Sequence, residues 1–235
     1  MIIKVCGMRD ANNIAAVSAL DVDMLGFVFY PQSNRYVATI PRLSKTMMPT
    51  QKEDKPLNTD SATSLKKRFS KRVGVFVDEM AQNIVTRVYN FRLDYIQLHG
   101  QESPTFIRNL RATLIPDIRP HLKIIKAISI ANREDLEQYK IYENDVDLFL
   151  FDTKTPLQGG SGQQFDWSLL QSYKGEVPFL LSGGIGPDDV SRIRSLHHPR
   201  MIGIDLNSKF ETSPGIKDVV LLQNFIQALN SSSDL

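Results

Sequence analysis

Eight short apolar runs punctuate the chain: IIKVC (2–6), MLGFVF (24–29), VGVFVD (73–78), YIQLH (95–99), KIIKAI (123–128), VDLFLF (146–151), PFLLS (178–182) and MIGIDL (201–206). Several are apolar at successive positions rather than alternating. Alternation marks a strand with one wet face, whereas a continuous run fits a strand buried on both faces, as in a parallel sheet covered by helices. Stretches with helical spacing lie between the runs, at 10–20, 81–91, 132–142, 166–173, 188–196 and 217–229. In AQNIVTRVYNF the apolar residues fall at 84, 85, 88 and 91, one face of a helix. Acidic residues or Asn stand near most of the starts, where they cap free N–H groups and complement the helix dipole.

Most intervals between runs are about 20 to 30 residues, the length of a strand–helix unit. Eight such units predict an α/β protein built as a single (β/α)8 (TIM) barrel over residues 1–235. A doubly wound open sheet would carry a glycine fingerprint after its first strand, and CGMRD is not one. The interval from 30 to 72 is too long for one connection. Its part from 46 to 63 is rich in Pro, Thr, Lys and Asp and is expected to be a surface insertion in the second unit. NSSSDL (230–235) is expected to fray.

Composition narrows the picture without redirecting it. Of 235 residues, 42% are hydrophobic and 23% charged, and the net charge is +2, too small a field to imply nucleic acid or a membrane surface as partner. The single cysteine excludes an intramolecular disulfide framework and fits a reducing cytoplasm. No apolar run is long enough to span a bilayer, and no signal-peptide pattern is present at the start. Four scattered histidines without ligand spacing speak against zinc.

In a barrel, chemistry sits at the C-terminal ends of the strands. The residues there are Cys6-Gly7, Asp78, His99-Gly100, Asp152-Thr153, Ser182-Gly183-Gly184 and Asp205 before Asn207-Ser208. A thiol, a histidine and three carboxylates would thus converge on one mouth. LSGGIGPDD (181–189) and DLNSKFETSPGIKD (205–218) offer backbone N–H groups suited to an anion, and phosphate sites after the seventh and eighth strands are common in this architecture. PLQGGSGQQFDW (156–167) is a glycine-rich loop without the ending of a nucleotide P-loop. Arg35 can meet a carboxylate or phosphate in bidentate fashion. Lys4 shares a strand face with Cys6 but is expected to sit too far down the barrel to help it. His197-His198 and KKRFSKR (66–72) read as solvated surface, and Trp167 as packing.

Taken in order, IKVCGMRD, GFVFYPQSNRYV, VGVFVD, IQLHG, FDTK with GGSGQQFDW, LSGGIG and GIDLNSKFETSPGIKD resemble the phosphoribosylanthranilate isomerases of tryptophan biosynthesis, from residue 3 to 218. The resemblance implies an Amadori rearrangement of N-(5-phosphoribosyl)anthranilate on a barrel that needs no metal or cofactor and acts as monomer or homodimer on a small-molecule substrate. It implies Cys6 as general base and Asp152 as general acid. Arg35, His99 and Asp205 would bind substrate. Gly183, Gly184, Asn207 and Ser208 would hold its phosphate, and Gly160, Ser161 and Gly162 would form the loop over it. The family usually reads Ser-Pro-Arg where this chain has Ser33-Asn34-Arg35. A histidine-pathway phosphosugar isomerase would place an aspartate, not Cys6, at the end of the first strand. Indoleglycerol-phosphate synthase would need a lysine-centred set of strand ends. A non-catalytic phosphosugar-binding barrel would have no use for Cys6 and Asp152.

Overall fold

All eight apolar runs form strands, and each strand pairs in parallel with the next until the eighth closes on the first. They are β1 (Ile2–Val5), β2 (Met24–Val28), β3 (Lys71–Phe76), β4 (Tyr95–Leu98), β5 (Lys123–Ile130), β6 (Leu148–Thr153), β7 (Phe179–Leu181) and β8 (Met201–Leu206). The seam joins Ile2 to Gly203 and Lys4 to Asp205. The structure is a computed structural model and describes residues 1–41, 69–115, 117–154 and 164–231. The expected insertion at 46–63 lies outside the described residues.

The outer ring contains α1 (Ala11–Ser18), α2 (Ala81–Phe91), α3 (Pro104–Leu114), α4 (Arg133–Glu137), α5 (Tyr139–Tyr142), α6 (Val190–Ser195) and α7 (Val219–Asn230). Caps set the starts: Asp10, Ser103, Asn132 and Asp218 each accept a backbone N–H three residues on. α3 was not anticipated, although Ser103-Pro104 is a helix start and Ile107, Leu110 and Leu114 make its buried stripe. The 132–142 stretch is two helices, broken where the Gln138 N–H reaches back three residues to the Asp135 carbonyl. Residues Trp167–Ser172 wind as a 3-10 turn rather than an α-helix, and a shorter one, Pro187–Asp189, leads into α6.

Continuous apolar runs are explained by the two faces of the wall. Ile3, Val5, Phe27, Phe76, Leu98, Ile128, Phe149, Phe151, Leu181 and Ile204 join the large core shared with the helices. Met24, Val73, Ile125, Ala127, Leu148, Leu150 and Leu180 fill the barrel interior as a separate cluster. Trp167 is buried, as expected, with the Arg192 guanidinium 3.8 Å above its ring.

Three surface readings need correction. His198 is half-buried against Phe179 and Tyr173, and its Nδ1 accepts the Arg200 N–H, because the turn before β8 folds back over the aromatic cluster. Lys71 and Arg72 belong to β3 rather than to a helix end; Lys71 is exposed, as expected, whereas Arg72 is half-buried and donates to the Phe91 carbonyl at the end of α2. At the C-terminus, Asn230 completes α7 and the Ser231 N–H caps it on Gln227, so the first two residues of the presumed frayed tail are ordered. Residues 232–235 lie outside the described residues.

Outside the wall, Lys126 and Glu102 form a buried pair of 3.0 Å with side-chain exposures of 3% and 2%. Lys126 also donates to the Leu98 and Gly100 carbonyls, and Glu102 accepts the N–H groups of Asp78 and Gly100. The pair therefore clamps the backbone on both sides of His99. Breaking a buried pair by removing one partner strands the other charge. Lys126→Met should cost about 3–5 kcal/mol in urea denaturation, and Lys126→Met with Glu102→Gln should recover part of that loss.

Candidate active site

Side chains that point inward on successive strands define the mouth. Lys4 and Cys6 are two residues apart and share the inner face of the first strand. Cys6 is buried against Val28, Val75 and Tyr30, and its N–H is held by the Leu206 carbonyl at 2.9 Å. Gly26 makes the room. A Cβ there would lie 2.6 Å from the Cys6 sulfur and 3.1 Å from its Cα, so only glycine lets β2 pass this close to the thiol.

Lys4 is fully buried, and its Nζ donates to Asp205 Oδ2 at 2.8 Å across the β1–β8 seam. The Lys4 ammonium is near enough to oppose the effect of burial on the Cys6 thiol, contrary to the expectation that it lies too low to help. The inner-face spacing of one pleat and a long, extended side chain bring the ammonium up to it. Asp205 Oδ1 is buried and has no hydrogen-bond partner among the described residues. It is an acceptor open to a donor from the mouth.

His99 and Asp152 meet at 3.3 Å, Nε2 to Oδ2. The Gln97 amide nitrogen lies 3.1 Å from His99 Nδ1. With Gln97 donating there, Nδ1 is the accepting nitrogen and Nε2 is the one that faces Asp152. The other Asp152 oxygen accepts the Thr153 N–H. Asp78, in contrast, does not join the cluster. Its carboxylate accepts the Gln101 N–H at 2.6 Å and packs against Gly100, which spends it on the neighbouring loop.

Arg35 lies at the other side of Cys6-Gly7 and is held by Glu211 in a forked pair, with Nε at 2.9 and 3.1 Å and Nη2 at 2.6 Å. Glu211 opens a small hairpin, β9 (Glu211–Ser213) and β10 (Ile216–Lys217), where sequence reading saw only a possible helix and a Pro-Gly turn. Lys217 is fully buried and donates to Glu211 at 2.7 Å, to Asn207 Oδ1 at 2.7 Å and to the Asn207 carbonyl. The hairpin is tied to α1 by a two-way amide pair between Asn13 and the Lys217 backbone. Glu211, Lys217, Gln97 and Gly26 were all missed. Thr212 and Ile216, on either side of the Ser213-Pro214-Gly215 turn, are the only local sign of a hairpin.

Gly183 and Gly184 both adopt left-handed backbone, with φ of 91° and 66°. Among the described residues their N–H groups donate to no protein backbone acceptor. The Gly186 N–H is already taken by Asp189, so it is not one of the free donors the segment was expected to offer. Ser208 begins a 3-10 turn beside Asn207, next to the end of β8. Gly160, Ser161 and Gly162 lie outside the described residues.

Charge and burial oppose one another here. Burial pushes the Cys6 thiol above its usual range; Lys4 and Lys217 pull it down and Asp205 pushes it further up. Burial works against the Lys4 ammonium, but Asp205 and Cys6 outweigh it and hold the group above the ordinary lysine range. Burial also raises Asp205, with Lys4 opposing and Asp152 adding to the rise. Glu211 stays below its usual range despite burial because Arg35 and Lys217 flank it. Burial draws Lys217 down even with Glu211 beside it. Among the described residues no group of three or more His, Cys, Asp or Glu is placed to hold a metal ion, and no helix is long and apolar enough to cross a membrane.

A closed (β/α)8 barrel with acid–base groups gathered at its C-terminal mouth defines a barrel enzyme. The chain belongs to the N-(5'-phosphoribosyl)anthranilate (PRA) isomerase family, whose model matches residues 3–228. It is similar to the N-(5'-phosphoribosyl)anthranilate isomerase of Parabacteroides distasonis, at 45% identity over 97% of this chain and 93% of the relative. It superposes on the phosphoribosyl anthranilate isomerase of Thermotoga maritima with a TM-score of 0.75, 31% identity and coverage of 97% and 98%. A second solved structure, of such an isomerase in complex with reduced 1-(o-carboxyphenylamino)-1-deoxyribulose 5-phosphate, matches with a TM-score of 0.71, 28% identity and the same coverage.

Gly26→Ala should force the thiol out of its seat. A displacement of about 1 Å at a reacting group costs on the order of 100-fold in rate, so kcat/KM should fall by about that factor. Stability in urea should drop by about 1–3 kcal/mol.

Proposed function

We propose that the protein converts N-(5-phosphoribosyl)anthranilate to 1-(o-carboxyphenylamino)-1-deoxyribulose 5-phosphate, with Cys6 as general base and Asp152 as general acid. The observation that carries this reading is the placement of Cys6 and Asp152 at the ends of β1 and β6, with Asp205 of β8 between them around the ring. The family match supplies the reaction.

The reaction begins by opening the furanose ring, whose oxygen leaves only when protonated. Asp152 gives that proton, the C1–O bond breaks, and the anilino nitrogen supplies electrons to form a Schiff base. His99 beside Asp152 fixes the orientation of its carboxyl group. The C1=N bond makes the C2 proton acidic, and the Cys6 thiolate removes it. The C–H electron pair becomes a C1=C2 double bond, giving an enolamine that tautomerises to the C2 ketone. The thiolate acts on a proton and not on carbon, so it needs no cysteine-hydrolase histidine partner.

Arg35 grips the anthranilate carboxylate with the edge that Glu211 leaves over. Gly183, Gly184, Asn207 and Ser208 hold the phosphate, and Asp205 Oδ1 takes a sugar hydroxyl. Two anchored ends keep C2 and the ring oxygen against their proton-transfer groups. The substrate is a small molecule, no nucleic acid or membrane takes part, and the protein works as monomer or homodimer. A reducing cytoplasm suits its single free thiol.

Substrate generated in place and followed by loss of its fluorescence tests the assignments. Cys6→Ser and Asp152→Asn should each lower kcat by about 10²–10⁴ with KM little changed; full activity in either removes that residue from its role. The base acts when deprotonated, and burial raises the Cys6 thiol. The acid acts when protonated, so the wild-type rate should fall at both pH extremes, and a rate that keeps rising far into the alkaline range would contradict Asp152 as the acid.

A further inference from the structure

The interior layer beneath the mouth is apolar, built from Met24, Val73, Ile125, Leu148, Leu150 and Leu180. A lysine in that setting has no stabilising purpose. Taking an ion pair out of water costs several kcal/mol per ion, and a packed hydrophobic side chain would serve the wall as well or better. The barrel nevertheless places one buried lysine below Cys6, and the β9–β10 hairpin brings a second from the side.

We propose that Lys4 and Lys217 are positioning residues for the Cys6 base: two buried ammonium groups, each anchored by its own carboxylate, between which the thiolate forms. Lys4 is fixed by Asp205 Oδ2 at 2.8 Å, which occupies one of its three donors and leaves others for the sulfur. Lys217 is fixed by Glu211 and by Asn207, each at 2.7 Å. Asn207 follows β8, whose Leu206 carbonyl binds the Cys6 N–H. A Cβ on Gly7 would lie 2.8 Å from Asn207 Oδ1, so the Lys217 anchor abuts the Cys6-Gly7 backbone.

The charged groups around the thiol are Lys4 from β1, Asp205 from β8 and Lys217 from β10. The hydrophobic neighbours Val28 and Val75, from β2 and β3, carry no charge. Arg35 is absorbed by Glu211, and His99 by Asp152 and Gln97. The two lysines are thus the groups that favour ionisation, against burial and Asp205. An opposite charge at short range moves a titration by about 1–3 units.

Because Cys6 is the only cysteine, thiolate ultraviolet absorbance, taken as the difference from Cys6→Ser, reports this sulfur alone. Lys4→Met and Lys217→Met should each move the thiol midpoint upward by about 1–3 units. Circular dichroism checks that each variant is folded. Lys4→Met leaves Asp205 unpaired in the core and is the variant at risk; Lys217→Met leaves Glu211 its Arg35 partner and by itself suffices as the test. A wild-type midpoint in a folded variant overturns the proposal. The inference rests on Cys6 being the base, and the two fail separately. The midpoint is measured without substrate, whereas an active Cys6→Ser enzyme would overturn the base assignment and leave the titration unchanged.

Discussion

The buried ion pair between Lys4 and Asp205 is the constraint on which the site depends. It spans the seam where the last strand meets the first, and it lies directly under the thiol. Two charges inside an apolar barrel are tolerable only when geometry is tight and the remaining valences are used. Lys4 meets that condition through its close contact with Asp205. Asp205 does not, because Oδ1 is left open. That unpaired acceptor is a cost borne in the resting fold and recovered when a donor arrives, a common economy at functional sites.

A second chain of charge runs along the rim. Arg35, Glu211, Lys217 and Asn207 connect the loop after β2 to the loop after β8, and Asn13 ties the same hairpin to α1. Alternating signs keep every member partnered. The arginine is thereby held in one orientation before any ligand arrives, which lowers the ordering cost of binding. The Lys126–Glu102 pair does the corresponding job for His99 from outside the wall.

Much of this was legible in the chain. All eight strands follow from continuous apolar runs, because a wall buried on both faces leaves little place for alternation. The strand-end rule picked Cys6, His99, Asp152 and Asp205, and these do converge. It also picked Asp78, which a neighbouring loop consumes. The missed residues share a property: each acts through a distant partner. Lys217 and Glu211 lie on a hairpin too short to show a period, Gln97 sits inside a strand, and Gly26 matters only because Cys6 lies beside it. A buried lysine such as Lys4 looks like an interruption of a strand until the aspartate 201 residues away is brought against it. α3 shows the opposite failure, since its cap, proline and apolar stripe were all present in one short segment.

The seam also couples the site to closure of the barrel. Cys6 follows the first strand of the barrel, whereas its supports Asp205, Glu211 and Lys217 lie on or after the eighth. The charged floor under the thiol therefore exists only where β8 is paired with β1, so whatever opens the barrel at this seam also dismantles the site.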